Sequence, residues 1–187
     1  HHRMPGSYVT DTADQDFRAG ALYDRFSSTY LRALNGGWKN DGRGHTLASH
    51  VIDFYPNLKP RRILDMGCSI GQSTVAIKLA FPEAEVFAID VGAPMLRYGH
   101  ARAEAMDTAI HFSQQNAEST DFEAGSFDVV VSHIMLHETS KSALVRILKE
   151  CHRLLRPGGL MLHLEIPRGK TVIEKFKHNW ESYNNNE

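Results

Sequence analysis

Apolar residues along the chain form two kinds of pattern that alternate with each other. Short, nearly continuous apolar runs predict buried strands, because a strand covered on both faces has no polar side. Between these runs, apolar residues recur at the spacing of a helix. This alternation predicts an α/β fold with a doubly wound, mainly parallel sheet of about five strands. The predicted strands are residues 63–66, 85–90, 110–114, 127–132 and 160–165.

The segment ahead of the first strand is predicted to form a helical cap. Apolar residues recur at helical spacing through 10–35, and a glycine-rich polar loop is predicted for 38–45. A further helix is predicted for 47–55, where Pro56 ends it. The later helices are predicted at 72–80, at 93–106 and, after the capping residue Ser140, up to 155, with a sharp turn at 156–159.

Charge and cysteine content narrow the class of partner. The chain has 21 basic and 22 acidic residues, interspersed, with a formal net charge of −1. Nothing therefore indicates a nucleic-acid stripe or an anionic-membrane surface, and we expect a small-molecule partner. Cys68 and Cys151 make no disulfide framework, and we find neither a signal peptide pattern nor an apolar run of membrane-spanning length. The expected location is cytoplasmic.

The stretch Asp65-Met-Gly-Cys-Ser-Ile-Gly71 joins the first strand to a helix. Glycines at 67 and 71 let a ligand approach the main chain, and the helix N-terminus offers N–H groups. A dinucleotide fingerprint would need glycine at 69 and a small residue at 72, where the chain has Ser69 and Gln72. A P-loop is also excluded, because no Gly-Lys-Ser/Thr follows. The alternative is a plain structural turn without a ligand.

Asp90 ends the second predicted strand, about 20 residues beyond the glycine loop, where folds of this kind hold a ribose. Its two carboxylate oxygens suit the vicinal hydroxyls of a sugar. The alternative is that Asp90 caps the helix that follows it. We favour the ribose role because of the distance from Gly71.

Two further motifs complete the pattern. Phe127-Asp128 opens an apolar strand that is followed by Leu136-His137, and Leu154-Leu-Arg-Pro-Gly-Gly159 turns a helix into the fifth strand. With the glycine loop and Asp90, these motifs resemble the class I S-adenosylmethionine-dependent methyltransferases, in particular the small-molecule enzymes of the ubiquinone/menaquinone-biosynthesis type. The resemblance covers 63–165 and implies a Rossmann-like fold with S-adenosylmethionine as cofactor.

The resemblance also implies which residues bind this cofactor. The methionine ammonium would meet backbone groups of Gly67 and of the 132–133 pair, with Asp65 nearby, and Tyr30 or Arg43 would reach the carboxylate. Arg43 could instead be a solvated surface residue. Asn116 would accept a hydrogen bond from the adenine, or it could simply form an Asx turn. The full predicted set is Asp65, Gly67, Cys68, Ser69, Gly71, Asp90, Val91, Asn116, Ala117, Ser132, His133, Tyr30 and Arg43.

Methyl transfer from a sulfonium is an in-line displacement, so a base is needed only if the acceptor must lose a proton. Candidates for such a base are His133, His137 and Glu165, each of which could also be a surface or packing residue. Two histidines without a third ligand make a poor metal site, so no metal is predicted. Cys68 is expected to pack beneath the cofactor, because no base in its motif lowers the pKa of the thiol.

We therefore predict a methyltransferase acting on a small, apolar or aromatic acceptor. The alternatives are a cofactor-binding but inactive module or subunit and, disfavoured by the loop spacing, a nicotinamide oxidoreductase. Residues 1–4 are interpreted as a tag remnant, 5–60 as the helical cap and 61–187 as the S-adenosylmethionine-binding domain, together one structural domain.

The end of the chain departs from the family pattern. Two further strands are expected there, but only one helical stripe follows the fifth strand. We therefore expect the edge of that strand to be covered by a terminal helix or by another subunit. In the second case the protein would be a homodimer. The residues of the stripe are Val172, Phe176, Trp180 and Tyr183.

Overall fold

The apolar runs form one parallel sheet. The computed structural model describes residues 17–31, 41–165 and 171. Its strands are β1 (Arg62–Met66), β2 (Glu85–Asp90), β3 (His111–Gln114), β4 (Phe127–His133) and β5 (Leu155–Leu164). The helices are α1 (Arg18–Phe26), α2 (Asp41–Phe54), α3 (Gln72–Ala80), α4 (Ala93–Ala105) and α5 (Lys141–Leu154), with a π-helical segment at Ser27–Leu31 and a 3-10 turn at Leu136–Glu138.

The strands lie in the order β3-β2-β1-β4-β5, and every neighbouring pair is parallel. The chain builds the sheet outward from β1 to one side through β2 and β3, and then to the other side through β4 and β5. Met66, the last residue of β1, lies between Ile89 of β2 and Ser132 of β4. The carboxyl ends of the three central strands therefore meet at one edge, at the point of reversal where open parallel sheets bind their ligands. The predicted fold class is confirmed.

Helices cover both faces of the sheet. On one face, Leu64 and Met66 pack against Ile147 and Leu154 of α5. On the other face, Ile63 packs with residues of α2 and α3. Because both faces are dry, the central strands can be apolar at nearly every position, which is the pattern that the sequence shows. Among the described residues, no helix has the length and apolar character needed to cross a membrane.

Most element bounds agree with the prediction, and α3 and β2 match it at both ends. Helix α2 does not. It begins at Asp41, so residues 41–45 are helical and the prediction of a loop there is wrong. Gly44 is buried against α3, where an added Cβ would lie 2.2 Å from the carbonyl oxygen of Ser73. The glycine thus allows two helix backbones to touch, and this tertiary contact outweighs its low helix propensity.

The structure also differs from the predicted turn at 156–159, because strand β5 already begins at Leu155 and includes these residues. Leu155 pairs with Phe127 and the next pair is Val129 with Leu160, so 156–159 form an irregularity inside the strand. Gly158, with φ of +80°, supplies the left-handed backbone that this bend requires. The terminal stripe and the predicted cover of the β5 edge lie outside the described residues.

Asp128 joins this irregularity to the start of β1. It is buried, and its Oδ2 accepts hydrogen bonds from the backbone N–H groups of Arg61 (2.5 Å) and Arg62 (2.8 Å). Its Oδ1 lies 2.5 Å from Nε of Arg156. The carboxylate of Asp128 therefore accepts hydrogen bonds from the backbone where the chain enters β1, and it also pairs with the side chain of Arg156 at the irregularity in β5.

We expect Asp128→Ala to lower the free energy of unfolding by about 3 kcal/mol, because it leaves two N–H groups and a guanidinium without their acceptor. Urea unfolding followed by circular dichroism measures this loss. Asp121→Ala, at an exposed position, serves as the matched control and should change stability by less than about 0.5 kcal/mol. Equal losses in the two variants would contradict the role assigned to Asp128.

Candidate cofactor and acceptor site

The glycine loop turns sharply between β1 and α3. Gly67 and Gly71 have φ of +72° and +71°, and Gly71 is the N-cap residue of α3, without a side-chain cap. The backbone N–H groups of Gly67 and Cys68 donate to the carbonyl oxygen of Ile89, at 2.8 and 3.0 Å. An added Cβ at Gly67 would lie 2.3 Å from Cγ of Met135. Side chains are therefore excluded at both glycines, and the loop presents bare backbone at the carboxyl edge of the sheet.

Asp65 lies beneath this loop with 1% of its surface exposed. Its Oδ2 accepts hydrogen bonds from the hydroxyls of Thr74 (2.6 Å) and, more weakly, Ser73 (3.4 Å). Its buried Oδ1 has no partner among the described residues. Burial raises the pKa of Asp65 to about 7, although the two hydroxyls oppose the shift. A buried carboxylate with one free oxygen is well suited to receive a cationic group.

Asp90 connects the glycine loop to α4. Its Oδ2 accepts from the N–H of Ser69 (2.9 Å) and its Oδ1 from the N–H of Gly92 (2.8 Å). The N-cap residue of α4 is Gly92, so Asp90 supports the helix start without being its cap. Burial raises the pKa of Asp90, and the N–H groups oppose this. Each oxygen still has acceptor capacity for a ligand hydroxyl.

Three further residues of the predicted cofactor set, with Asn116 assigned to the adenine, lie at or after the ends of neighbouring strands. Val91 follows β2, is 40% exposed, and its carbonyl accepts from Nε2 of Gln114 at 2.9 Å. Asn116 is exposed, and its Oδ1 accepts from the N–H of Glu118 at 2.9 Å, which is the Asx turn considered above. Ala117 lies in that turn, partly buried. The adenine contact itself remains a prediction.

The helical cap adds one residue that the sequence did not single out. Tyr23 of α1 is largely buried, and burial raises the pKa of its hydroxyl. The guanidinium of Arg43 opposes this shift and the carboxylate of Asp90 adds to it, so both charges lie near the phenol. The signal available in the sequence was only a tyrosine on the helical stripe. The side chain of Tyr30 lies outside the described residues.

Arg43 reaches across to the end of β4. Its Nη1 lies 3.1 Å from Nε2 of His133, so that nitrogen accepts and the proton of the neutral ring is on Nδ1. Burial and the adjacent guanidinium lower the pKa of His133 to about 4. His133 is therefore neutral at pH 7, with a weakly basic ring.

His137 and Glu165 form a second charged group. Nδ1 of His137 lies 2.9 Å from Oε2 of Glu165, and Nε2 lies 3.2 Å from Oε1 of Glu138. Burial lowers the pKa of His137, but the hydrogen bonds to the two carboxylates outweigh it and raise the pKa to about 9. Oε1 of Glu165 accepts from the N–H groups of Met135 (2.9 Å) and Leu136 (2.7 Å). This cluster ties the loop after β4 to the end of β5.

Two predicted site residues are fully covered. Ser132 is 0% exposed, and its hydroxyl lies 2.8 Å from Nδ1 of His163. Cys68 is buried, which raises the pKa of its thiol, and this agrees with a packing role. Of the predicted site residues, those of the glycine loop, Asp90 and His133 all lie at the carboxyl edge of the sheet, because β1, β2 and β4 end there.

Fold and site together define an α/β protein with a glycine loop and two largely buried carboxylates, Asp65 and Asp90, at the carboxyl edge of its parallel sheet. The family described as "Methyltransferase domain" matches residues 63–159, just over half of the chain. The chain belongs to this family, and the resemblance to S-adenosylmethionine-dependent methyltransferases of the quinone-biosynthesis type is confirmed.

Curated relatives support the assignment. The chain is 32% identical over 117 residues to the demethylmenaquinone methyltransferase of Thermus thermophilus, covering 63% of this chain and 52% of the relative. It is 27% identical over 179 residues to the ubiquinone/menaquinone biosynthesis C-methyltransferase UbiE of Vibrio parahaemolyticus, covering 94% of this chain and 64% of the relative. The chain thus spans between half and two thirds of the length of these relatives.

A solved structure agrees on the fold. An S-adenosylmethionine-dependent methyltransferase from Clostridium acetobutylicum superposes with a TM-score of 0.63 at 15% identity, covering 76% of this chain and 56% of that chain. At this identity the likeness concerns the fold alone, which is the Rossmann-like arrangement predicted from the sequence.

The His137 cluster makes stability depend on pH. Because the pKa of His137 rises from 6.5 to about 9 on folding, its stabilising charge is fully present below pH 6.5 and is lost as the pH rises through 9. We expect the stability difference between wild type and His137→Gln to be about 2 kcal/mol larger at pH 6 than at pH 10, after discounting for partial exposure. Urea unfolding at the two pH values measures it.

His100→Gln is the control, because His100 lies on the exposed surface of α4, 3.5 Å from Glu104. Its stability difference should vary with pH by less than about 0.5 kcal/mol. A stability difference for His137→Gln that stays constant between pH 6 and 10 would refute the charged cluster.

Proposed function

We propose that the chain binds S-adenosylmethionine at the carboxyl edge of β1, β2 and β4 and transfers its methyl group to a small-molecule acceptor. The observation that carries the proposal is the glycine loop hydrogen-bonded to Asp90, with the free Oδ1 of Asp65 beneath it. When bound, this cofactor supplies a methyl group on a positively charged sulfur that leaves as a neutral thioether. Membership of the methyltransferase family supports the proposal.

The described residues suit the two ends of such a cofactor. Asp65 would balance the ammonium, with backbone groups of Gly67 and of residues 132–133 beside it. Arg43 would balance the carboxylate, and Tyr23 would lie beside it, because the charges of Arg43 and Asp90 both act on its hydroxyl. The assignment of Tyr30 to the carboxylate stays a prediction.

Asp90 would hold the ribose, because both of its oxygens can accept a hydroxyl in addition to their present N–H partners. Val91, Asn116 and Ala117 would border the adenine. Cys68, Ser69 and Gly71 shape the loop: Cys68 fills the space beneath it and Ser69 anchors it to Asp90.

Among the three candidate bases, we propose that His133 orients the acceptor and that no strong base acts in this group. Glu165 and His137 are hydrogen-bonded to each other and to the loop after β4, so their atoms are already engaged. Nε2 of His133 accepts from Arg43, so the ring offers a hydrogen bond from Nδ1, and with a pKa of about 4 it removes protons poorly. Binding geometry would then supply most of the rate enhancement.

We propose an apolar or aromatic acceptor of the quinone type, because demethylmenaquinone and ubiquinone/menaquinone appear in the names of the two relatives. A cytoplasmic location is also proposed, and it is supported by two buried free cysteines. A homodimer remains a prediction, since among the described residues β5 pairs with β4 alone.

Calorimetry with S-adenosylhomocysteine tests the cofactor site. Wild type should bind this product and not NAD, and Asp90→Ala should weaken binding by about tenfold or more, because two ribose hydroxyls lose their acceptors. Asp121→Ala, an equivalent change at an exposed site, should bind like wild type. Unchanged affinity in Asp90→Ala would remove the ribose assignment, and absent binding by wild type would remove the proposal.

The affinity should also depend on pH. Asp65 has a pKa of about 7, and only its ionised form balances an ammonium, so affinity for S-adenosylhomocysteine should rise about tenfold between pH 6 and 8. Calorimetry in buffers of different ionisation enthalpy should register proton release on binding. In Asp65→Asn this pH dependence should disappear. Asp90, the other carboxylate of the site with a raised pKa, is unchanged in this variant and should not restore it. A pH profile in Asp65→Asn like that of wild type would assign the effect to another group.

A further inference from the structure

Helix α1 lies directly against α4. An added Cβ at Gly20 would be 2.2 Å from Cβ of Tyr98, so the two helices touch at this glycine. Gly20 is buried, whereas Leu22 and Phe26 of α1 are 56% and 48% exposed. Two of the large apolar side chains of α1 thus contribute little burial, so polar contacts help to hold the helix in place.

Asp24 makes these polar contacts. Its Oδ1 accepts a hydrogen bond from Nε2 of Gln72 at 2.7 Å, and its Oδ2 accepts from the hydroxyl of Tyr98 at 2.9 Å. Nε of Arg102 lies 3.9 Å from the same Oδ2. Gln72 also donates to the hydroxyl of Ser27, at 2.7 Å. One carboxylate, 27% exposed, thus joins α1 to the first residue of α3 and to α4.

The contacts of Asp24 with Gln72 and Tyr98 form a junction that lies next to the cofactor site, because Tyr23 directly precedes Asp24. Gln72 directly follows Gly71, the last residue of the glycine loop. Tyr23 lies near Ser69 and Asp90, the hydrogen-bonded pair that closes the loop. When Asp24 holds α1 against α3 and α4, Tyr23 is held beside the residues proposed to bind the ribose and the methionine tail.

We propose that Asp24 is a positioning residue that keeps α1 closed over the cofactor site and thereby sets how fast the cofactor leaves. The inference rests on the proposed cofactor site and goes beyond it, because Asp24 itself lies outside that set. Release would require α1 to separate from α3 and α4, which breaks the hydrogen bonds to Gln72 and Tyr98. Charge-assisted hydrogen bonds are the strongest contacts available for this.

The test is the dissociation rate of S-adenosylhomocysteine from the full chain, measured by surface plasmon resonance. Asp24→Asn keeps the size of the side chain and removes its charge, and we expect dissociation about tenfold faster or more. Tyr98→Phe removes a single hydroxyl and should give a smaller increase. If both act through one junction, the double variant should dissociate more slowly than the product of the two single effects predicts, because the second substitution removes a contact that the first has already weakened.

Asp53→Asn is the matched control, an exposed aspartate at the far end of α2, and it should release the ligand at the wild-type rate. A purely structural role of Asp24 predicts a lower melting temperature and less binding-competent protein with an unchanged dissociation rate, which would overturn the proposal. Unchanged dissociation in Tyr98→Phe and Asp24→Asn alike would do the same. No binding by wild type would overturn the cofactor site as well.

Discussion

The parallel pairing of β1 with both β2 and β4 is the constraint on which the rest of the molecule depends. Parallel strands point the same way, so the chain leaves β1, β2 and β4 at one edge. The glycine loop follows β1, and Asp90 and His133 are the last residues of β2 and β4, so these groups meet at that edge. A shift of register by one residue would turn every side chain of a strand to the opposite face and separate these groups.

Burial and neighbouring charges at this edge shift the pKa values of three groups, Asp65, His133 and His137. The carboxylate of Asp65 has a free oxygen and a pKa near neutrality, so the site is prepared for a cation. Next to β4 and β5, His137 lies between two carboxylates, and the neutral ring of His133 accepts a hydrogen bond from Arg43. One side of the edge therefore suits binding of a charged tail, and the other suits a rigid wall for an acceptor with little charge.

The N-terminal helices complete the site from outside the sheet. Arg43 of α2 reaches His133, and Asp24 of α1 reaches Gln72 at the start of α3. Both contacts join the cap to an end of the glycine loop or of β4. The cap is thus connected to the binding edge by polar contacts between side chains, which can form and break more readily than the packed interior of the sheet.

The sequence by itself determined the strands, most helix bounds, the loop with its two glycines and the acidic residue at the end of β2. These features depend on local pattern: apolar runs, glycine positions and fixed spacings that parallel topology imposes. Tertiary structure alone decided the rest. Helix α2 extends through Gly44 because it packs on Ser73, and Asp24 of α1 meets Gln72 and Tyr98 because α1 packs against α4. The two histidines acquire opposite pKa shifts, in which Arg43 for His133 and Glu165 for His137 are partners distant in sequence. Such contacts join residues whose separation along the chain gives no local signal, so only the folded arrangement reveals them.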